Sequence, residues 1–142
     1  MRHLKKTQKL GRTSSHKRCL IANMLKSLII HGRIQTTVAK AKVLRSYADR
    51  MVTLAKKDDL NSRRRASEQL MIRYNKLTPK EQRAAKNGNI KAYNDDRKVI
   101  NQLFGPIKTR FESRQGGYTR IVRKDARIGD NAETCYIEYL PE

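Results

Sequence analysis

The stretch HGRIQTTVAKAKVLRSYADRMVTLAKK, residues 31–57, decides the fold. Gly32, directly after His31, suits the left-handed position that closes a preceding helix. Arg33 to Thr37 is short, β-branched and alternating, which is the pattern of a strand. Thr37 then caps a helix in which Val38, Ala41, Leu44, Ala48, Met51/Val52 and Ala55 recur at steps of three and four. Lys56 and Lys57 fall in its last turn, where the helix dipole favours cations. A helix, a short strand and a long amphipathic helix follow one another with almost no linker, so this is a mixed α/β chain.

Working outward, Thr13, Ser14 and Ser15 offer N-caps for the first helix. Its stripe is Ile21, Met24/Leu25 and Leu28, widened by Cys19, Leu20 and Ile29. On the other side, a third helix is expected from Asn61 or Ser62, with Ala66, Leu70 and Tyr74 inward and Arg63, Arg64 and Arg65 at its start. Thr78-Pro79-Lys80-Glu81 is a capping box with proline at the first helical position. Asn87-Gly88-Asn89 ends that short helix. Asn94, Asp95 and Asp96 open another, with Val99, Ile100, Leu103 and Phe104 inward, and Gly105-Pro106 interrupts it. Ile107 and Phe111 keep a four-residue step beyond the interruption. After the turn at Gln115-Gly116-Gly117, Tyr118 to Lys124 and Thr134 to Leu140 alternate as strands, joined by the long loop 125–133. No internal repeat and no second domain are legible.

The chain has 142 residues, the size of one ordinary domain, and 33 Lys+Arg against 13 Asp+Glu give a formal net charge of +20. That charge repels itself strongly without a polyanion, which makes nucleic acid the first suspect. Its placement is uneven. Residues 1–48 hold twelve bases and no acid, whereas residues 125–142 hold five acids and only Arg127. No stretch approaches the roughly 20 apolar residues that span a bilayer. The N-terminus lacks the apolar core of a secretory signal. Two cysteines make no disulfide framework. Residues 1–13 have too few apolar side chains to form a core, so the segment is expected to lack fixed structure alone in water.

The motifs Met1-Arg2-His3, KLGRTSSH (9–16), HGRIQTTVAKAKVLR (31–45), LAKK (54–57), GGYTRI (116–121) and RIGD (127–130) are ordered and spaced in a way that resembles the seventeenth protein of the bacterial large ribosomal subunit, from Met1 to about Leu140. The resemblance implies a two-layer α/β (α+β) domain, with a small mixed three-stranded sheet packed against helices in the order α-β-α-α-α-β-β. It implies a structural role on 23S rRNA, near the peptide exit region with neighbouring large-subunit proteins, as a monomer within the ribosome. No membrane and no small-molecule substrate enter this reading. Residues 76–93 look longer than the usual family connection, and Gly105-Pro106 sits where relatives continue a helix. The direct start at Met-Arg-His leads us to expect a bacterial or organelle-made cytoplasmic protein.

With that family in view, residues 1–12 are expected to be an extended basic arm and 13–142 a single rRNA-binding domain. Arg2, Lys5, Lys6, Lys9, Arg12, Lys17 and Arg18 are the expected phosphate contacts. Ser14, Ser15 and the helix N-terminus add neutral donors, and His3 and His16 are candidates for stacking or phosphate donation. Arg33, Lys40, Lys42 and Arg45 form a second basic set, in which 42 and 45 share a helix face and 40 points elsewhere. Of the Arg63–Arg64–Arg65 fan, Arg63 and Arg64 are taken as the contacts. Tyr118 is either a stacking platform or a locally packed ring, and Arg120 and Arg127 are expected phosphate ligands. The competing reading of each charge run is a solvated face.

Other chemistries find less support. His16 and Cys19 have a ligand-like spacing, but only His31 and Cys135 can join them, so no metal is expected and Cys19 reads as a small buried thiol. Catalytic residues and cofactors are likewise not expected: Ser14, His16 and Asp49 lack ordered spacing, and no glycine-rich loop leads from a strand into a helix. The alternative function is a basic DNA-binding or nucleoid-associated module. It calls for a recognition helix with base-reading side chains at its start.

Overall fold

A computed structural model describes residues 8–141 of the chain. The first helix, α1, is Ser14–His31; Thr13 is its N-cap in extended backbone, and Gly32 closes it at φ 70° with its N–H donating to the Leu28 carbonyl. Strand β1 is Arg33–Thr37 and helix α2 is Val38–Lys57. The capping threonines Thr13 and Thr37 act through backbone geometry, since neither makes a side-chain cap bond. The first amide of α2 is satisfied instead from afar: Val38 N–H donates to the Glu133 carbonyl at 3.1 Å.

Helix α3 is Leu60–Gln69, with the Asp59 carboxylate accepting from Ser62 N–H. Helix α4 is Pro79–Lys86, carrying the full capping box between Thr78 and Glu81. Helix α5 is Asp95–Gln102, capped by Asn94. The order among the described residues keeps helix, strand, helices, strand, strand; between β1 and β2 it holds more helical segments than the three the resemblance implies, and α4 stands where the Thr78 capping box predicts it. The bend is Leu103–Ile107, a wide π turn with Gly105 at φ −105°, ψ −105°, leading into α6, Lys108–Arg110. Pro106 has no N–H to give, so the ladder widens there, yet the helix resumes because Phe104, Ile107 and Phe111 are all buried.

Strand β2 is Thr119–Arg123 and β3 is Thr134–Tyr139. The sheet order is β1-β3-β2, and both pairings are antiparallel. This corrects the mixed sheet implied by the resemblance: β1 and β2 run the same way, but β3 lies between them, so no parallel pair forms. The α/β class stands. Cys135, Ile137 and Tyr139 of β3 are buried under the helices, while Tyr136 and Glu138 alternate to the outer face. Helix α2 packs on α1, α3 and all three strands, and its whole stripe (Ala41, Leu44, Ala48, Met51, Val52, Ala55) is sealed from solvent.

Three local expectations are corrected. Tyr74 does not point inward. Helix α3 stops at Gln69, Met71 turns to φ 51°, and Tyr74 is 53% exposed, with its ring 5.0 Å from the Arg97 guanidinium. Cys19 is exposed rather than buried, one step outside the Ile21–Leu25–Leu28 stripe; Cys135 is the buried thiol, and burial pushes its pKa up. Lys9 to Arg12 form a turn, with Leu10 at φ 55° packed against the core and Arg12 N–H donating to the Lys9 carbonyl at 3.2 Å. Residues 1–7 lie outside the described residues.

The 76–93 excursion is pinned at its base. Asn75 Nδ2 donates to the Ala92 carbonyl at 2.9 Å, Asn94 Nδ2 to the Arg73 carbonyl at 2.7 Å, and Arg97 reaches both the side chain and the carbonyl of Asn75 at 2.8 Å. Asp96 ties the same base to α1 through Lys26 Nζ at 2.6 Å.

Candidate nucleic-acid interface

Arg2, His3, Lys5 and Lys6 lie outside the described residues. The other expected contacts fall into two electrostatic groups. In the first, the cations stand free of acids. Lys9, Arg12, Lys17, Arg18, Lys40, Lys42, Arg45 and Arg64 belong to no ion pair among the described residues. Arg12 Nη1 instead lies 3.3 Å from the His16 ring nitrogen Nε2, one helical turn away.

The start of α1 and its neighbours form a groove of about 530 Å³. Ser14, Lys17, Arg18 and Ile21 line one side, with Tyr47 of α2 and Glu68, Gln69 and Met71 on the other. Ser15 is exposed beside it, its hydroxyl 3.4 Å from that of Thr13. Lys40 lines a different hollow, between α1 and β1, with Asn23, Ser27 and Gln35. Lys42 lines a third, with Gln8, Leu10 and Glu133. Arg45 is exposed on α2. The helical spacing thus separates Lys40 from Lys42 as expected.

In the second group each cation is held by a carboxylate. Arg33 Nε lies 3.3 Å from Glu138 Oε2, with its guanidinium 4.0 Å from the Tyr136 ring centroid. Arg120 donates to Glu138 Oε1 through Nε and Nη2. Arg63 is engaged by Asp58 at 2.6 Å and lies over the Phe104 ring. Asp58 also receives Lys108 at 2.9 Å, and these hydrogen bonds, Lys108 first, hold its carboxyl below the usual range. Arg127 donates to both Asp130 oxygens through Nε and Nη2, which lowers the Asp130 pKa to about 2. These arginines first serve the protein's own acids.

Tyr118 is corrected as a stacking platform. Its ring is 4% exposed and lies 5.2 Å from the Phe111 centroid, so it has no free face for a base. The aromatic that shares a groove with the expected contacts Lys17 and Arg18 is Tyr47, at 36% exposure. Its signal was present in the sequence: it falls between Leu44 and Ala48, off the apolar stripe of α2. Among the described residues, no group of three or more His, Cys, Asp or Glu side chains is placed to hold a metal.

Comparison with known proteins matches residues 20–140 to the family model for ribosomal protein L17. The chain belongs to that family. It is 67% identical over 142 residues, the whole of both chains, to the large ribosomal subunit protein bL17 of Protochlamydia amoebophila. It is 60% identical over 140 residues, 99% of each chain, to the protein of the same name in Chlamydia felis. Members of this family are structural ribosomal proteins and not enzymes.

Proposed function

We propose that the chain is a structural constituent of the large ribosomal subunit in the cytoplasm that binds 23S rRNA, with residues 1–12 as a basic arm ahead of a single domain of 13–142. The observation that carries this reading is the division of the cations. Those of the first 48 residues, Arg33 and Lys26 apart, stand free of acids among the described residues, whereas four expected arginines farther along or at the sheet are neutralised internally. Free cations beside an exposed tyrosine and helix-start hydroxyls suit a phosphate backbone with unstacked bases. The contacts we assign are Arg2, His3, Lys5, Lys6, Lys9, Arg12, Ser14, Ser15, His16, Lys17, Arg18, Lys40, Lys42, Arg45 and Arg64, with Tyr47 replacing Tyr118. Arg33, Arg63, Arg120 and Arg127 contribute less, because phosphate must compete with a carboxylate already in place. A position near the peptide exit region, among other large-subunit proteins, is part of the same proposal.

Binding of a 23S rRNA fragment across a salt series tests the reading. Replacing Lys17 and Arg18 together with Ala should lower the logarithmic salt slope by about 1.4 to 1.8 units, the loss of two phosphate contacts. An unchanged slope would remove α1 from the interface. Tighter binding to duplex DNA than to the rRNA fragment would favour the nucleoid reading instead.

A further inference from the structure

Ile128, at the tip of the β2–β3 loop, is 104% exposed, while Leu60, the next most exposed large apolar side chain among those described, reaches 65%. A single apolar residue at a surface is ordinary. What sets Ile128 apart is that the backbone presenting it is cross-tied by hydrogen bonds on both sides. Asn131 N–H donates to the Arg127 carbonyl at 2.8 Å, and Arg127 N–H donates to the Ala132 carbonyl at 3.0 Å. Asp130 accepts from Ala132 N–H at 3.2 Å while its two oxygens grip the Arg127 guanidinium. The base is tied as well: Thr134 Oγ1 donates to the Asp125 carbonyl at 2.6 Å, Lys124 N–H to the Thr134 carbonyl at 3.0 Å, and Val38 N–H to the Glu133 carbonyl at 3.1 Å. A loop fixed at tip, waist and base carries an isoleucine away from the core with little ordering left to lose on docking.

The loop's charge selects the class of occupant. Asp125, Asp130 and Glu133 outnumber Arg127, so residues 125–133 are net negative in a chain of formal charge +20. That charge disfavours phosphate relative to the free cations of α1, and an apolar tip gains nothing from a nucleic-acid backbone. We propose that the clamped 125–133 loop is a protein-docking knob, with Ile128 entering an apolar pocket with a basic rim on another protein of the large subunit. The proposal rests on the reading that the chain sits in that subunit. Arg127 and Asp130 are positioning residues in this scheme, and only Ile128 enters the pocket.

The test compares the full-length chain with its I128N and I128V variants on two probes: large-subunit particles assembled without this protein, and protein-free 23S rRNA. Ile128 is in solvent, so all three should melt at the same temperature. I128N should bind the particle roughly ten- to hundredfold more weakly, the effect of withholding one buried isoleucine, while I128V stays within about fivefold of the parent. All three should bind naked rRNA equally. Equal particle affinity for I128N and the parent overturns the knob. A parallel loss on naked rRNA also overturns it, because the side chain would then be a wedge in RNA. Failure of the parent to bind naked rRNA would sink the rRNA reading alone and leave the particle comparison decisive for the knob.

Discussion

Arg120 of β2 and Glu138 of β3 are Cα partners across the sheet, and the arginine donates to Oε1 through Nε at 2.9 Å and Nη2 at 2.6 Å. Arg33 is the Cα partner of the same glutamate from the other edge strand. One carboxylate on the central strand therefore holds an arginine from each side. Glu138→Ala leaves those two cations facing each other across a neutral strand. Loss of about 1 kcal/mol in chemical denaturation is expected, the upper end for partly exposed pairs. A variant as stable as the parent would show that the pairs contribute nothing.

Removal of residues 1–7 should leave thermal stability unchanged, whereas removal of 1–12 should lower it. The second deletion takes Leu10, which packs against the core from a turn at φ 55°. Differential scanning calorimetry on the two truncations checks this. Equal melting would mean that Leu10 adds nothing to the core.

Phe111 is 2% exposed and lies between the Tyr118 and Tyr139 rings, at centroid distances of 5.2 and 6.0 Å. Phe111→Ala should cost about 3–5 kcal/mol, through lost transfer energy and the cavity it leaves. Tyr118→Ala should also destabilise the fold while leaving the salt slope of rRNA binding untouched. A reduced slope with an unchanged melting point would restore Tyr118 to the interface.

The Asp130 carboxyl titrates near pH 2 in the folded chain, because Arg127 hydrogen-bonds and faces its charged form. An unfolded aspartate titrates at about 3.9. The folded value is the lower, so the clamp's stabilisation is fully present above about pH 4 and is lost as pH falls toward 2. Asp130→Asn should flatten the acid limb in that window by lowering stability above about pH 5, with the parent and variant curves converging as pH falls toward 2. A parent and variant with superimposable acid limbs would contradict the assignment.

Local order carried the fold a long way. The α2 stripe, the left-handed stop at Gly32, the capping box at Thr78 and the asparagine cap at Asn94 each depend on neighbours within one or two helical turns, so the chain states them openly. The same locality explains the failures. The exposure of Cys19 and the early end of α3 before Tyr74 turn on where a stripe meets its partner, and that partner is distant in sequence.

The candidate site divides along the same line. The sequence alone determined the charge asymmetry, the helix-start hydroxyls, the basic positions of α1 and α2, and a family membership legible in short ordered motifs. Only the tertiary structure decided which cations remain free. Strand register sets Arg33 and Arg120 beside Glu138, the left-handed end of α2 brings Asp58 to Arg63 and Lys108, and the ring of Phe111, at the end of α6, packs against the buried Tyr118. A charge count cannot see these pairings. Charges pair through space, at distances set by register and helix packing, whereas the periodicities read from sequence describe only which face of its own element a residue occupies.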